Sequence, residues 1–235
     1  MTIRPNEHKV KDLIQVQHVL LSVFDKDRLD QLVNGLVAIN PDVKFYSTGG
    51  TGKKITEVLG PMAADNYISV ESFTGAPEMQ GGLVKTLHPK IHAGLLAERG
   101  NHEHERYLRE TMSEPTGIKG VYFDLAVVNL YPFEKVAAKP GVTPEEARGN
   151  IDIGGPTMIM AAAKNWPSVA AVVRPMDYNK VLERIMEERG TTAEMRFGLA
   201  QIAMQEVGRY RTANARHFSN LLYETDVAPT LNFEN

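Results

Sequence analysis

Apolar residues fall into two rhythms along the chain. Short unbroken runs at 16–23 (VQHVLLSV), 43–47, 67–70, 123–130 (FDLAVVNL) and 168–173 are rich in valine, leucine and phenylalanine. Runs of this length, bounded by turn residues, predict buried strands. Between them the spacing changes. Asp27 starts a helical pattern through Leu29, Leu32, Leu36 and Ile39, and Ile55 and Leu59 follow the turn Thr48-Gly49-Gly50-Thr51. Residues 177–188 form an amphipathic helical stretch. Strand, glycine-rich turn and helix in repetition predict an α/β fold with a parallel sheet and covering helices.

The remaining segments are read by their punctuation. Residues 71–97 are dense in turn signals and predict a loop as far as His88. Residues 102–110 are highly charged and predict a solvated helix, and 112–120 a surface loop. Thr143-Pro144-Glu145-Glu146 carries a capping box with proline at the first helical position, so a helix starts there. Another is predicted over 158–163, with Pro156 in its first turn after Gly154-Gly155. Residues 192–222 predict one or two further helices, carrying Phe197, Leu199, Ile202, Met204, Tyr210 and Phe218. The tail from Glu224 onward reads as loose.

Composition narrows the chemistry. With 235 residues the chain can form one large or two small domains. A formal charge of −3 offers no basic excess for a nucleic acid backbone. The absence of cysteine removes disulfides, thiolate metal sites and thiol nucleophiles. The N-terminus lacks the apolar core of a signal peptide, and no apolar run is long enough to cross a bilayer. These features suit a cytoplasmic protein that binds neither nucleic acid nor membrane.

Candidate chemistry gathers at turns. Gly49-Gly50, Gly81-Gly82 and Gly154-Gly155 are the three glycine doublets that stand out. Gly49-Gly50 follows a strand and precedes a helix, a place where amide N–H groups favour a phosphate, and Ser47, Thr48 and Thr51 add hydroxyl donors. Residues 49–54 (GGTGKK) look like a nucleoside-triphosphatase phosphate loop, but Ser47 and Lys54 stand where that loop needs glycine and Ser/Thr. Ser22, Asp25 and Lys26 close the first strand. His88 and His92 are four apart, but no third ligand has supporting spacing, so a structural role is expected. Tyr131 ends the strongest strand and Lys85 sits in a turn-rich segment. Asp152 and Lys164 bracket the helix predicted over 158–163. They are twelve residues apart, roughly 18 Å on a continuous helix. To meet, the Asp152 loop must fold back beside the helix; otherwise the pair is a capping acid and a solvated lysine.

Several segments together carry a family resemblance: SVFDK, STGGTGK, TGAPEMQGGLVKTLHPKIHAGLLA, VVNLYPF, PGVTPEEA, IDIGGPTMIMAAAKN and RYRTANARHFS. Over 16–223 the chain resembles the IMP cyclohydrolase domain of the bifunctional purine-biosynthesis enzyme, which usually fuses it to a formyltransferase domain. The resemblance implies a methylglyoxal-synthase-like domain over 1–190 and a helical extension and tail over 191–235, packing on the same domain. It implies closure of formamido-imidazole-carboxamide ribotide (FAICAR) to inosine monophosphate (IMP), with loss of water, and no cofactor or metal. The family's catalytic positions fall on Lys85, Tyr131, Asp152 and Lys164. Nucleotide contacts fall on Ser22, Asp25, Lys26, Thr48, Gly49, Gly50, Thr51, Lys85, Thr86, Asn129, Asp152 and Ile153, with Gly154 beside them. In that scheme Lys164 moves protons, Lys85 lowers its pKa, Lys85 or Tyr131 holds the oxyanion with amides of the Gly154-Gly155 turn, and Asp152 orients the carboxamide. The chain departs from the family pattern at Phe24, Leu83 and Trp166. The partners it implies are the nucleotide, a second copy of the chain as a homodimer, and a separate formyltransferase. A triose-phosphate lyase on the same fold and a nucleotide-sensing module without chemistry are the rival readings.

Overall fold

The computed structural model describes residues 9–77, 79 and 84–232. Five strands build one sheet: β1 (His18–Val23), β2 (Lys44–Ser47), β3 (Tyr67–Ser69), β4 (Leu125–Asn129) and β5 (Ala170–Val172). Their order is β3-β2-β1-β4-β5 and every pairing is parallel. The connections between strands are helical, with α1 (Leu29–Ile39), α2 (Gly49–Leu59) and α9 (Gly154–Lys164) the longest helices among them, and α10 (Tyr178–Glu188) and α11 (Ala193–Ser219) follow the last strand. Short helices fill the rest: α3 (Ala63–Asn66), α4 (Val70–Thr74), α5 (Pro89–Leu96), α6 (His102–Arg109), α7 (Phe133–Ala137) and α8 (Pro144–Gly149).

The unbroken apolar strands have the physical cause expected, since the sheet is covered on both faces. Val19, Leu21, Phe45, Leu125, Val127 and Val172 face a core shared with α1, α2 and α10. The alternate residues Leu20, Tyr46, Ala126, Val128 and Ala171 face α5, α9 and α11. Asp124, just before β4, is buried and accepts the Gln17 and His18 N–H groups, which fixes the start of β1.

Several boundaries differ from the sequence pattern. The third strand stops at Ser69, because the Ser69 hydroxyl caps α4 through the Ser72 N–H. The expected loop after β3 therefore contains a helical turn. The predicted helix over 158–163 begins at Gly154, because the Asp152 carboxylate accepts the Gly155 N–H and caps it there. The surface loop after α6 is anchored from beneath: buried Lys90 donates to Thr116 and to the Ile118 carbonyl. Residues 192–222 hold one helix, α11, of 27 residues. It packs on α9 and β5, so the extension and the sheet share one core. The tail makes short helical turns at 223–227 and 228–230. Among the described residues no helix is long and apolar enough to cross a membrane.

Candidate active site at the carboxyl edge of the sheet

β1 leads to β2 on one side, while β4 joins β1 on the other. The carboxyl ends of β1 and β4 therefore flank the point where the strand order reverses, where open α/β sheets bind ligands. The Asn129 side chain closes this seam. Its carbonyl accepts the Phe24 and Asp25 N–H groups at 2.7 and 2.9 Å, and its amide donates to the Asp25 carbonyl at 2.8 Å. Asn129 thus holds the 24–26 loop in place, and the Asp25 carboxylate accepts the Asp27 N–H. Ser22 is half-buried at the end of β1.

The next turn along the edge starts α2. Gly49 has φ +48, a left-handed conformation in which a Cβ is strained. A methyl group on Gly49 would stand 2.9 Å from Lys85 Nζ, and one on Gly50 4.0 Å from Lys26 Nζ. Two ammonium groups thus lie over an exposed helix N-terminus whose first turn has no acid. Helix dipole, free N–H groups and two cations all favour an anion there. The expected hydroxyl donors fare unequally. Thr51 is spent on β1, donating to the Val23 carbonyl and accepting the Val23 N–H, and Ser47 is fully buried. Thr48 makes no side-chain cap bond and is only half-buried, so it is the hydroxyl left to face a ligand.

The third component is the Asp152 turn. Asp152 Oδ1 accepts the Gly155 N–H at 2.8 Å, and its own N–H donates to the Tyr210 hydroxyl at 2.7 Å. Burial pushes the Asp152 carboxyl up from the usual carboxylate range, against the pull of the Gly155 and Gly154 amides. A Cβ on Gly155 would collide with Asp152 Oδ2 and Leu130, so glycine is required for this close approach. Ile153 is exposed beside it.

Lys85 and Thr86 join the two turns. While Lys85 Nζ lies over Gly49, Thr86 Oγ1 stands 2.9 Å from where a Cβ of Gly154 would be. Val84, immediately before them, has φ +57, a strained conformation for a β-branched residue. Tyr131 follows β4, 47% exposed, with its ring 5.0 Å from that of Phe24 and tilted by 58°. Phe24 and Tyr131 form an aromatic pair at the rim.

Lys164 is placed elsewhere. It is exposed in the last turn of α9, and Asp152 caps the first. The helix between Gly154 and Lys164 is continuous and rises about 15 Å, more than a lysine stem can span. The Asp152 loop does not fold back along it, so within one chain Lys164 stays apart from Lys85, Tyr131 and Asp152. Leu83 and the Gly81-Gly82 doublet lie outside the described residues. Trp166 is half-buried against Phe197, remote from the turns named above. His88 caps α5 through the Lys90 N–H, a structural role. A cleft of about 650 Å³ opens at the opposite, amino edge, between α1 and α10, and none of the candidate site residues lines it. Tyr210 is the site residue that sequence reading missed; it was visible only as one apolar position in a long helix, 58 residues from the turn it holds.

Comparison with known proteins covers nearly the whole chain. Residues 28–157 match the model of the MGS-like domain, and residues 162–234 that of the AICARFT/IMPCHase bienzyme. The bifunctional purine biosynthesis protein PurH of Ruminiclostridium cellulolyticum is 38% identical over 216 residues, covering 92% of this chain and 39% of that protein. PurH of Parvibaculum lavamentivorans is 42% identical over 225 residues, covering 96% and 39%. The chain thus spans about two fifths of the length of these curated relatives. The crystal structure of ForH superposes with a TM-score of 0.69 at 27% identity, over 87% of this chain and all of that one.

Proposed function

The chain belongs to the MGS-like domain family and continues into the AICARFT/IMPCHase bienzyme region, and from that membership we propose that it is an IMP cyclohydrolase. The reaction closes FAICAR to IMP, the last step of de novo purine biosynthesis. The observation that carries the reading is the Lys85-Thr86 strap. It spans a cation-covered helix N-terminus at Gly49 and a buried-acid turn at Asp152. A ribotide needs the same pair of subsites: one for its phosphate and one for its reacting amides.

The chemistry follows from the groups available. The carboxamide nitrogen attacks the formyl carbon, and a C–N bond forms as that nitrogen loses a proton. The formyl oxygen becomes an alkoxide and then leaves as water, with one hydrogen from the carboxamide nitrogen and one from the formamido nitrogen. Both reacting arms belong to one molecule, so the protein's first task is to freeze their rotamers. Asp152 takes the carboxamide proton and delivers it to the departing oxygen. Lys85 and Tyr131 hold the alkoxide. Lys26, Thr48 and the amides of Gly49, Gly50 and Thr51 take the phosphate. Ser22, Asp25 and Thr86 line the path between, and Ile153 with Gly154 borders the base.

The test is to mix the purified chain, treated with chelator, with FAICAR and to follow IMP absorbance. Saturable IMP formation that needs no added metal supports the proposal. Tight IMP binding without ring closure would make the chain a nucleotide-sensing module instead.

A further inference from the structure

Tyr210 sits where two parts of the molecule meet. Its ring is buried in a satellite core with Phe133 and Ala147, flanked by Leu130, Val142 and Ile151. Phe133 packs edge-on to it at 6.3 Å. Its hydroxyl leaves this core and accepts the Asp152 N–H at 2.7 Å.

The consequence concerns aim. The Asp152 carboxylate spends one oxygen on the Gly155 N–H, so its direction is set by the backbone of residues 151–153. Tyr210 holds the amide of that backbone. If the hydroxyl is removed, a part-buried N–H loses its partner and the turn can rotate to find another. We infer that Tyr210 is a positioning residue: its hydroxyl fixes the Asp152 turn so that the carboxyl meets the proton it transfers, and α11 is thereby part of the active site. The catalytic half of this inference rests on the ring-closure reading; the structural half does not.

Tyr210→Phe separates hydroxyl from ring. The ring still fills the satellite core, so the urea midpoint should stay close to the parent value. Exchange of the Asp152 amide hydrogen should accelerate at least about tenfold, as a held donor is released. Turnover should fall by roughly ten- to a hundredfold, the loss expected from misplacing a reacting group by about 1 Å. KM should change little, because the phosphate subsite is untouched. As a control, Phe133→Leu disturbs the same core but leaves the hydroxyl, and should keep both turnover and Asp152 exchange near the parent. Unchanged Asp152 exchange in Tyr210→Phe overturns the inference whatever the activity. Accelerated exchange with unchanged turnover overturns its catalytic half. In the parent chain alone, rapid exchange of the Asp152 amide would already contradict it. A parent that forms no IMP refutes the ring-closure reading, while the exchange measurement still decides whether Tyr210 holds the turn.

Discussion

Asp152 has two jobs that pull against each other. Its carboxylate caps α9, which favours the charged form, yet burial raises its pKa and disfavours that form. Burial is the larger effect, so the folded chain holds the proton more tightly than an unfolded one, where a carboxyl titrates near 3.9. The proton's contribution to stability is therefore present in acid and is lost as pH rises through the folded-state value. At neutral pH the charged Asp152 costs the fold some stability. Asp152→Asn keeps an oxygen for the Gly155 N–H but removes the charge. It should raise the melting temperature at pH 7, and the gap from the parent should close as pH falls through the folded pKa of Asp152. Ring closure by the same variant should fall at least about a hundredfold, the usual scale of general acid–base help. Melting curves across pH, read beside turnover, check both; identical curves for the two proteins would show that the carboxyl is not under the burial described.

Among the helices, α11 is the clearest case of something half visible in sequence. Its extent could be read from 192–222, but not that it is one helix rather than two, nor what fastens it. Arg196 is fully buried and, among the described residues, makes no direct salt bridge, although the nearby Asp12 carboxylate favours its charge. It donates instead to the carbonyls of Lys11, Asp12, Trp166, Pro167 and Thr191. Burial lowers its pKa to about 10. Backbone carbonyls carry no signature in the sequence, so an arginine among apolar helix positions looked like any solvated charge. Arg196→Ala strands several buried acceptors at once, at roughly 1–3 kcal/mol for each one left unsatisfied. Urea unfolding should show a loss of at least about 3 kcal/mol, whereas a loss under about 1 kcal/mol would mean that water replaces the guanidinium. The capping box at Thr143 was easier to read because both partners lie within one turn: Thr143 accepts the Glu146 N–H and Glu146 accepts the Thr143 N–H.

The parallel sheet and its covering helices follow from apolar runs alternating with helical spacing and were open to reading in advance, whereas the strand order β3-β2-β1-β4-β5 was not. The position of the glycine turns at one sheet edge was also readable, since a turn after a parallel strand has no other place to go. Side-chain commitments were not. Thr51 reads as a hydroxyl donor in the sequence and the resemblance implies a nucleotide contact at Asn129; in the fold the Thr51 hydroxyl ties α2 to β1, and the Asn129 side chain ties β4 to the 24–26 loop. The spacing of Asp152 and Lys164 did contain its own warning, because twelve residues on one helix separate rather than join them. The fold keeps that separation, and it sets the Lys85 amine over the phosphate turn while the adjoining Thr86 stands beside Gly154 at the start of α9. Comparing Lys85→Ala with Lys164→Ala in a single-turnover ring-closure assay tests this arrangement most directly. The account predicts at least about a hundredfold loss for Lys85→Ala and a rate near the parent for Lys164→Ala; the reverse order would contradict a site built on the Lys85-Thr86 strap.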